Sequence, residues 1–141
     1  ITPAEYHFLD GSGGGETTAV TPAVTKMLSV MSTKPDFPVY LHSLPILGVD
    51  GSLGFVTDFQ SNPHLKGATG NIFANPGSYL VGTESGLLVK GQAFGGYIDT
   101  KSGQHLVYMP VVNNVKVNDI NDLLQAFQDQ GTISAILWLD H

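Results

Sequence analysis

The sequence predicts an α+β fold in which an antiparallel β-sheet is flanked by helices. Three apolar runs lie between residues 70 and 114, at Asn71–Ala74, Leu87–Asp99 and Gln104–Val112. The tightest break between them is Thr100–Gly103, where the glycine can adopt the positive φ that a short hairpin loop needs. In the last run both sets of alternate residues are largely apolar. This pattern predicts a strand whose two faces are both covered.

The N-terminal half predicts one short strand and one clear helix. Residues 1–9 are apolar enough for an edge strand, and the glycine-dense residues 10–18 predict a loop. A helix is expected from Thr21 to about Thr33, with Thr21 as the N-cap and Pro22 in the first turn. Four apolar residues keep helical spacing along it, namely Val24, Met27, Leu28 and Met31.

The segment that follows this helix is less regular. Phe37–Leu47 contains two prolines and predicts a short helix or turn that ends in a buried loop. Gly48–Gly54 predicts a second glycine loop. Phe55–Lys66 has no clear period and is expected to be an irregular surface connection.

A helix is also predicted after the sheet. Asn118 or Asp119 can cap it, and the expected apolar stripe consists of Ile120, Leu123, Leu124 and Phe127. Gly131 is expected to end this helix. Thr132–Leu139 is apolar almost all round, which predicts a buried helix or a final strand, with the helix favoured.

Composition excludes several classes of function. A length of 141 residues suits a single domain, residues 1–141, with a real core. The net charge is −6 and arginine is absent, so nucleic acid is not expected as a partner. Cysteine is also absent, which removes disulfides and thiol chemistry. No apolar run approaches the roughly 20 residues of a membrane span.

Short motifs in the loops predict turns rather than catalytic sites. Gly11–Thr18 lacks the lysine that a phosphate-binding P-loop requires. Ser12 and Ser52 follow Asp-Gly, whereas a nucleophile elbow needs glycine two residues before the serine. The histidines are scattered, so no metal site or cofactor is expected, and His105 is predicted to be a satisfied structural histidine within a strand.

Two stretches carry a resemblance to a known family. The first contains FLDGSG at Phe8–Gly13 and SLPILGVDGSL at Ser43–Leu53. The second contains GQAFGGYIDTKSG at Gly91–Gly103. Their order resembles the C-terminal half of penicillin-binding D-alanyl-D-alanine carboxypeptidase/endopeptidases, which are serine peptidases related to β-lactamases. The resemblance implies part of a β-lactamase/transpeptidase-like fold, with the active site between the sheet edge and an all-helical region.

The family machinery consists of Ser-x-x-Lys, a Ser-x-Asn loop and a Lys-Thr-Gly strand. Ser-x-x-Lys does not occur in this sequence. The Ser-x-Asn loop maps near Ser12, Thr17 and Thr18, where no asparagine is present.

The Lys-Thr-Gly strand departs from the family pattern as well. It maps onto the sequence from Asn75 to Ser78, so the resemblance implies that Asn75, Gly77 and Ser78 line the substrate site. Loss of a lysine that pairs with a substrate carboxylate costs about 2–5 kcal/mol. Pro76 removes a donor from the strand edge, whereas the Ser78 N–H remains available to an oxyanion hole.

Two interpretations follow from the resemblance. In the first, the chain is the C-terminal portion of a serine-type D-Ala-D-Ala carboxypeptidase-like protein that acts on or binds peptidoglycan peptides. The chain begins at Ile1, so an N-terminal partner chain from the same precursor is then expected to carry the nucleophile. In the second, the chain is a catalytically degenerate homologue that serves as a binding or structural subunit. Either implies a periplasmic or extracellular location, and whether the protein is an enzyme stays open at this point.

Overall fold

Ten helices and strands make up the fold in the computed structural model, which describes residues 1–11, 16–84 and 86–141. In chain order they are β1 (Tyr6–His7), β2 (Thr18–Ala19), α1 (Thr21–Met31), α2 (Phe37–His42), β3 (Ile72–Thr83), β4 (Gly86–Asp99), β5 (His105–Tyr108), β6 (Val111–Val112), β7 (Val115–Val117) and α3 (Ile120–Asp140). Three short 3₁₀ turns lie between α2 and β3.

The main sheet is antiparallel throughout and is centred on β4. Strand β3 pairs with one edge of β4, and β5, β6 and β7 follow one another along the other edge. Gly103 in the tight turn before β5 has φ +87°, as the sequence predicts. Strands β1 and β2 form a separate two-residue ladder.

Helices cover both faces of this sheet, which confirms the predicted α+β class. On one face α3 and the 3₁₀ turns bury a cluster that includes Phe94, Ile98 and Trp138. On the other face α1 packs through Leu28 and α2 through Phe37 onto Tyr97. Both faces of β5 are therefore covered, because Tyr108 belongs to the first cluster and Val107 packs against the second.

Two of the predicted apolar runs have other bounds in the structure. The run expected at Asn71–Ala74 continues as a strand to Thr83, because each of its later residues pairs with β4. The run expected at Gln104–Val112 is interrupted between β5 and β6, where Pro110 has no N–H to donate to a ladder.

Several local predictions for the N-terminal half are corrected. Thr21 is the first residue of α1 rather than its N-cap, and the cap residue Val20 makes no side-chain bond. The expected edge strand over residues 1–9 is reduced to β1. Residues 55–66 are not a surface connection, since Val56, Phe59 and Leu65 are buried in the core. The short helix or turn predicted within Phe37–Leu47 is a helix, α2.

Helix α3 begins as predicted and continues further than predicted. The Asp119 carboxylate accepts from the Asn121 N–H at 2.7 Å, which is the expected N-cap. Gly131 does not end the helix, which runs to Asp140, and Leu123 is buried while Ile120 and Leu124 of the expected stripe are exposed. No helix in the described part of the chain is long and apolar enough to cross a membrane.

Candidate functional site

The residues that map onto the third family motif lie in the middle of β3. Asn75 pairs with Gly95, Gly77 with Ala93 and Ser78 with Gln92. All three β3 side-chain positions are exposed. Because side chains alternate along a strand, Asn75 and Gly77 share the α1 face, whereas Ser78 lies on the α3 face.

The outer edge of β3 is open from Asn75 onward. Upstream, the Leu47 N–H donates to the Ile72 carbonyl at 2.9 Å, and the Ala74 N–H donates to the Pro45 carbonyl at 3.0 Å. Since N–H groups two residues apart point to the same side of a strand, the next outward positions are Pro76 and Ser78. Proline has no N–H, so Ser78 carries the first donor on the open edge.

A buried amide network supports this part of the strand from behind. The Ser78 hydroxyl donates to the side-chain oxygen of Gln92, which is fully buried. Gln130 on α3 donates its side-chain amide to the Gln92 carbonyl at 3.0 Å and to the Pro110 carbonyl at 3.2 Å. Helix α3 is therefore tied by hydrogen bonds to the strand pair that carries Ser78.

A polar cleft of about 720 Å³ lies next to this strand, between the β1–β2 ladder and the sheet. The ladder side contributes His7, Glu16, Thr17 and Thr18, and the sheet side includes Tyr79. Thr17 also accepts from the Leu9 N–H at 3.3 Å, which links the two short strands. The remaining lining residues are Ala19, Thr21, Lys90, Gly91, Met109, Val111, Asn113 and Asn114.

The structure brings together only some of the residues that the sequence indicates. Thr17 and Thr18 meet the sheet at Tyr79, the residue directly after Ser78. Asn75, Gly77 and Ser78 lie further along β3 and do not line the cleft. Ser12 lies outside the described residues.

Sequence reasoning missed Lys90. Tyr79 pairs with Gly91 and Leu80 pairs with Val89, so Lys90 is an extra residue that has no partner on β3. This arrangement is a β-bulge, a feature that often re-aims a side chain beside a functional site. The signal in the sequence was a lone cation within an otherwise apolar strand.

His105 is satisfied, as predicted, but it stands at the start of a strand and not in its middle. It is the first residue of β5 and lies at the surface, where its Nδ1 is 2.6 Å from the Asp99 carboxylate. An exposed pair of this kind contributes at most about 1 kcal/mol. No group of three metal-ligating side chains is present in the ranges that the structure describes.

The arrangement is suited to binding an extended peptide. An open strand edge can form backbone hydrogen bonds with a peptide, and a neighbouring polar cleft can hold a polar or charged end of it. The sheet has no Lys-Thr-Gly sequence to add a cation at Asn75.

Comparison with solved structures finds the same fold in penicillin binding protein 4 (dacB) from Haemophilus influenzae. The TM-score is 0.63 at 17% sequence identity, and the match covers 89% of this chain and 26% of that structure. This chain therefore spans about a quarter of the length of that protein. Comparison with curated protein sequences gives no match.

A family model matches nearly the whole chain. The model of the D-Ala-D-Ala carboxypeptidase 3 (S13) family matches residues 1–131. This agrees with the resemblance that the sequence shows at Ser43–Leu53 and Gly91–Gly103 and with the solved fold. The chain belongs to the D-Ala-D-Ala carboxypeptidase 3 (S13) family.

Proposed function

We propose that this chain forms the peptide-binding wall of a serine-type D-Ala-D-Ala carboxypeptidase-like protein and binds peptidoglycan peptides along the open edge of β3. The observation that carries this proposal is the outward N–H of Ser78, on an edge that no other backbone segment pairs with in the described residues beyond Ala74. A peptide added at such an edge gains affinity from main-chain hydrogen bonds. The family supports the choice of peptide.

The serine nucleophile, in this proposal, is supplied by another polypeptide segment. Ser-x-x-Lys is absent from the 141 residues, and Asn75 stands where the family motif has lysine. Exposed apolar side chains along α1 and the β1–β2 ladder offer a surface for such a segment, and they include Met27, Val30 and Phe8. An N-terminal partner chain from the same precursor and a periplasmic or extracellular location belong to this proposal.

A second candidate is a catalytically degenerate homologue that serves as a binding or structural subunit. Asn75 and Pro76 favour it, because together they remove a cation and a backbone donor from the site. The peptidase and a degenerate binding subunit would both bind peptide at β3, and they differ in whether the assembled protein forms an acyl-enzyme. A structural subunit would do neither.

Peptide binding is tested with N-acetyl-D-alanyl-D-alanine and the variant Ser78→Pro. The variant removes the outward N–H, and Pro76 already shows that the strand accepts proline at an equivalent outward position. We expect at least a tenfold weaker affinity by calorimetry, with an unchanged circular dichroism spectrum. Ser78→Ala is the matched control, since it keeps the N–H, and it should bind within threefold of the parent. Equal affinity of Ser78→Pro and the parent chain would contradict binding at this edge.

Acylation is tested with fluorescent penicillin. We expect no covalent adduct on this chain, and none on the double variant Asn75→Lys/Pro76→Thr, since a restored cation does not supply a nucleophile. A labelled band with either chain would show that a nucleophile lies within these residues. The same labelling of a complex with an upstream partner separates the two candidates, because only the peptidase forms an adduct.

A further inference from the structure

The bulge at Lys90 directs one cation into the cleft beside β3. Val89 pairs with Val115 and Gln92 with Val112, so Lys90 is outside the ladders on both edges of β4. Its side chain is exposed and lines the cleft. A lysine in a regular ladder position would be fixed to one face of the sheet, whereas an extra residue is free of that alternation.

Lys90 has no ion-pair partner among the residues that the structure describes. Glu16 lines the same cleft, but its carboxylate is not within 4 Å of the Lys90 ammonium. The ammonium is therefore available to an anionic group of a ligand. Because Glu16 would repel a multiply charged anion such as phosphate, a single carboxylate fits the cleft better.

The loop beside Lys90 contains a residue in the left-handed conformation. Asn114 has φ +55°, and it is the one described non-glycine residue with positive φ. Asparagine adopts this conformation more readily than other non-glycine residues do. With the Asn113 amide turned so that its nitrogen faces them, the side chain donates to the carbonyls of Lys90 and Val112, each at 3.3 Å, and bonds this loop to the bulge.

The cleft borders β3 directly after Ser78. Tyr79 lines the cleft and directly follows Ser78, whose N–H points outward. A peptide bonded to the Ser78 N–H therefore lies beside the strand whose next residue, Tyr79, borders the cleft. Thr17, Thr18 and the Asn113 region supply hydroxyl and amide groups around it.

From this geometry we propose that Lys90 binds the carboxylate of a peptide ligand, with the β6–β7 loop holding the bulge in place. The identity of the peptide rests on the proposed function, but the carboxylate site does not. Lys90 is a binding residue here, and no chemical step is assigned to it.

The test compares the affinities of N-acetyl-D-alanyl-D-alanine, N-acetyl-L-alanyl-L-alanine and their C-terminal amides for three chains. Lys90→Met keeps an unbranched side chain of similar length and removes its charge. Lys116→Met is the matched control, because Lys116 is an exposed lysine on β7 of the same sheet and does not line the cleft. We expect Lys90→Met to weaken the binding of a free acid at least tenfold and that of the amides less than twofold, whereas Lys116→Met changes neither by more than twofold.

Each outcome decides the proposal. Three results would overturn the carboxylate site. The parent chain could bind acid and amide equally, Lys90→Met could bind the acid as tightly as the parent does, or neither acid could bind at millimolar concentration. A preference for the L-peptide that still depends on Lys90 would support the carboxylate site and contradict the proposed D-Ala-D-Ala ligand.

Discussion

Gly131 shows how the absence of a side chain lets α3 approach the core. A Cβ at this position would lie 2.3 Å from Val56 Cγ1 and 3.5 Å from Leu47 Cδ1. Glycine within a helix lowers helix stability by about 1 kcal/mol relative to alanine. Here the close packing of α3 on Val56 and Leu47 requires it. The sequence showed the cost, which is why a helix end was expected, but only the tertiary structure showed the contact.

We expect Gly131→Ala to destabilise the protein by about 1–3 kcal/mol, because Val56 would have to move from a packed position. Urea unfolding measures the change. Gly82→Ala is the control, since nothing lies within 4 Å of a Cβ there, and its effect should be below about 0.5 kcal/mol. A stabilised Gly131→Ala variant would mean that helix propensity outweighs the contact. The double variant Val56→Ala/Gly131→Ala should lose less free energy of unfolding than the two single variants lose together, because the smaller side chain at Val56 leaves room for the new Cβ.

Tyr97 joins the sheet to α1. Its hydroxyl donates to the Leu28 carbonyl at 2.8 Å, and its ring meets Phe37 edge to face at 5.0 Å. Burial raises the pKa of Tyr97 to about 12, and the neighbouring Tyr40 adds to the shift. The folded protein therefore holds the phenol proton more tightly than the unfolded chain does.

The raised pKa predicts an alkaline loss of stability. Unfolded tyrosine has a pKa near 10, so the contribution of Tyr97 is fully present below about pH 10 and is lost as pH rises towards 12. We expect the free energy of unfolding of Tyr97→Phe to fall less steeply than that of the parent between these pH values. At pH 7 the variant should lose only about 0.5–1.5 kcal/mol, since the Leu28 carbonyl also accepts from the Ser32 N–H. Parallel pH profiles of the two proteins would contradict the assignment.

Among the helices and strands, α3 is one whose start could be predicted from neighbouring residues alone. Asp119 accepts from the Asn121 N–H at 2.7 Å, and Asp122 accepts from the Asn118 N–H at 2.8 Å. Both contacts follow from residues within four positions of each other. The start of this helix could therefore be predicted from sequence, whereas its end at Asp140 could not.

We expect Asp119→Ala to lower the free energy of unfolding by about 0.5–2 kcal/mol, because the first turn loses its cap. Thermal unfolding followed by circular dichroism at 222 nm measures this. Asp129→Ala is the matched control: it removes an exposed contact with Gln125 inside the same helix and should cost less than about 0.5 kcal/mol. Similar losses in both variants would indicate a charge effect rather than capping.

Strand β3 illustrates the opposite case. Asn75, Pro76 and Gly77 are turn-forming residues, yet they lie in a strand because β4 offers a paired partner for every position. Proline is accepted there because its missing N–H faces the open edge. Local propensity predicts a break, and the long-range pairing with residues 86–99 overrides it.

At the scale of the whole molecule, the exposed apolar side chains of α1 and the β1–β2 ladder form a continuous surface. Ile1 and Met27 line two adjoining grooves on it, one bordered by Phe8 and the other by Val30. Met27 and Val30 are 49% and 51% exposed, which is high for apolar residues of a packed helix. Such a surface fits the docking of another polypeptide segment, as proposed above.

We expect the isolated chain to bind a hydrophobic dye and to self-associate at high concentration through this surface. The double variant Met27→Gln/Val30→Gln should reduce both effects without unfolding the chain, as measured by dye fluorescence and sedimentation. Ile133→Gln/Ile136→Gln is the control, because those side chains are exposed to a similar extent on α3. If the control reduces association as much, the surface on α1 has no special role.

The sequence by itself determined the α+β class, the tight turn at Gly103, the start of α3 and the family resemblance, because each depends on residues that are close together in the chain. It also predicted Thr17, Thr18 and Ser78 as site residues, but it did not show that Thr17 and Thr18 line the cleft and that Ser78 does not. Only the tertiary structure showed the length of β3, the uninterrupted α3, the bulge at Lys90 and the cleft that it lines. These features depend on pairings and contacts between distant segments, whose free energy outweighs local propensity and leaves little trace in a single sequence.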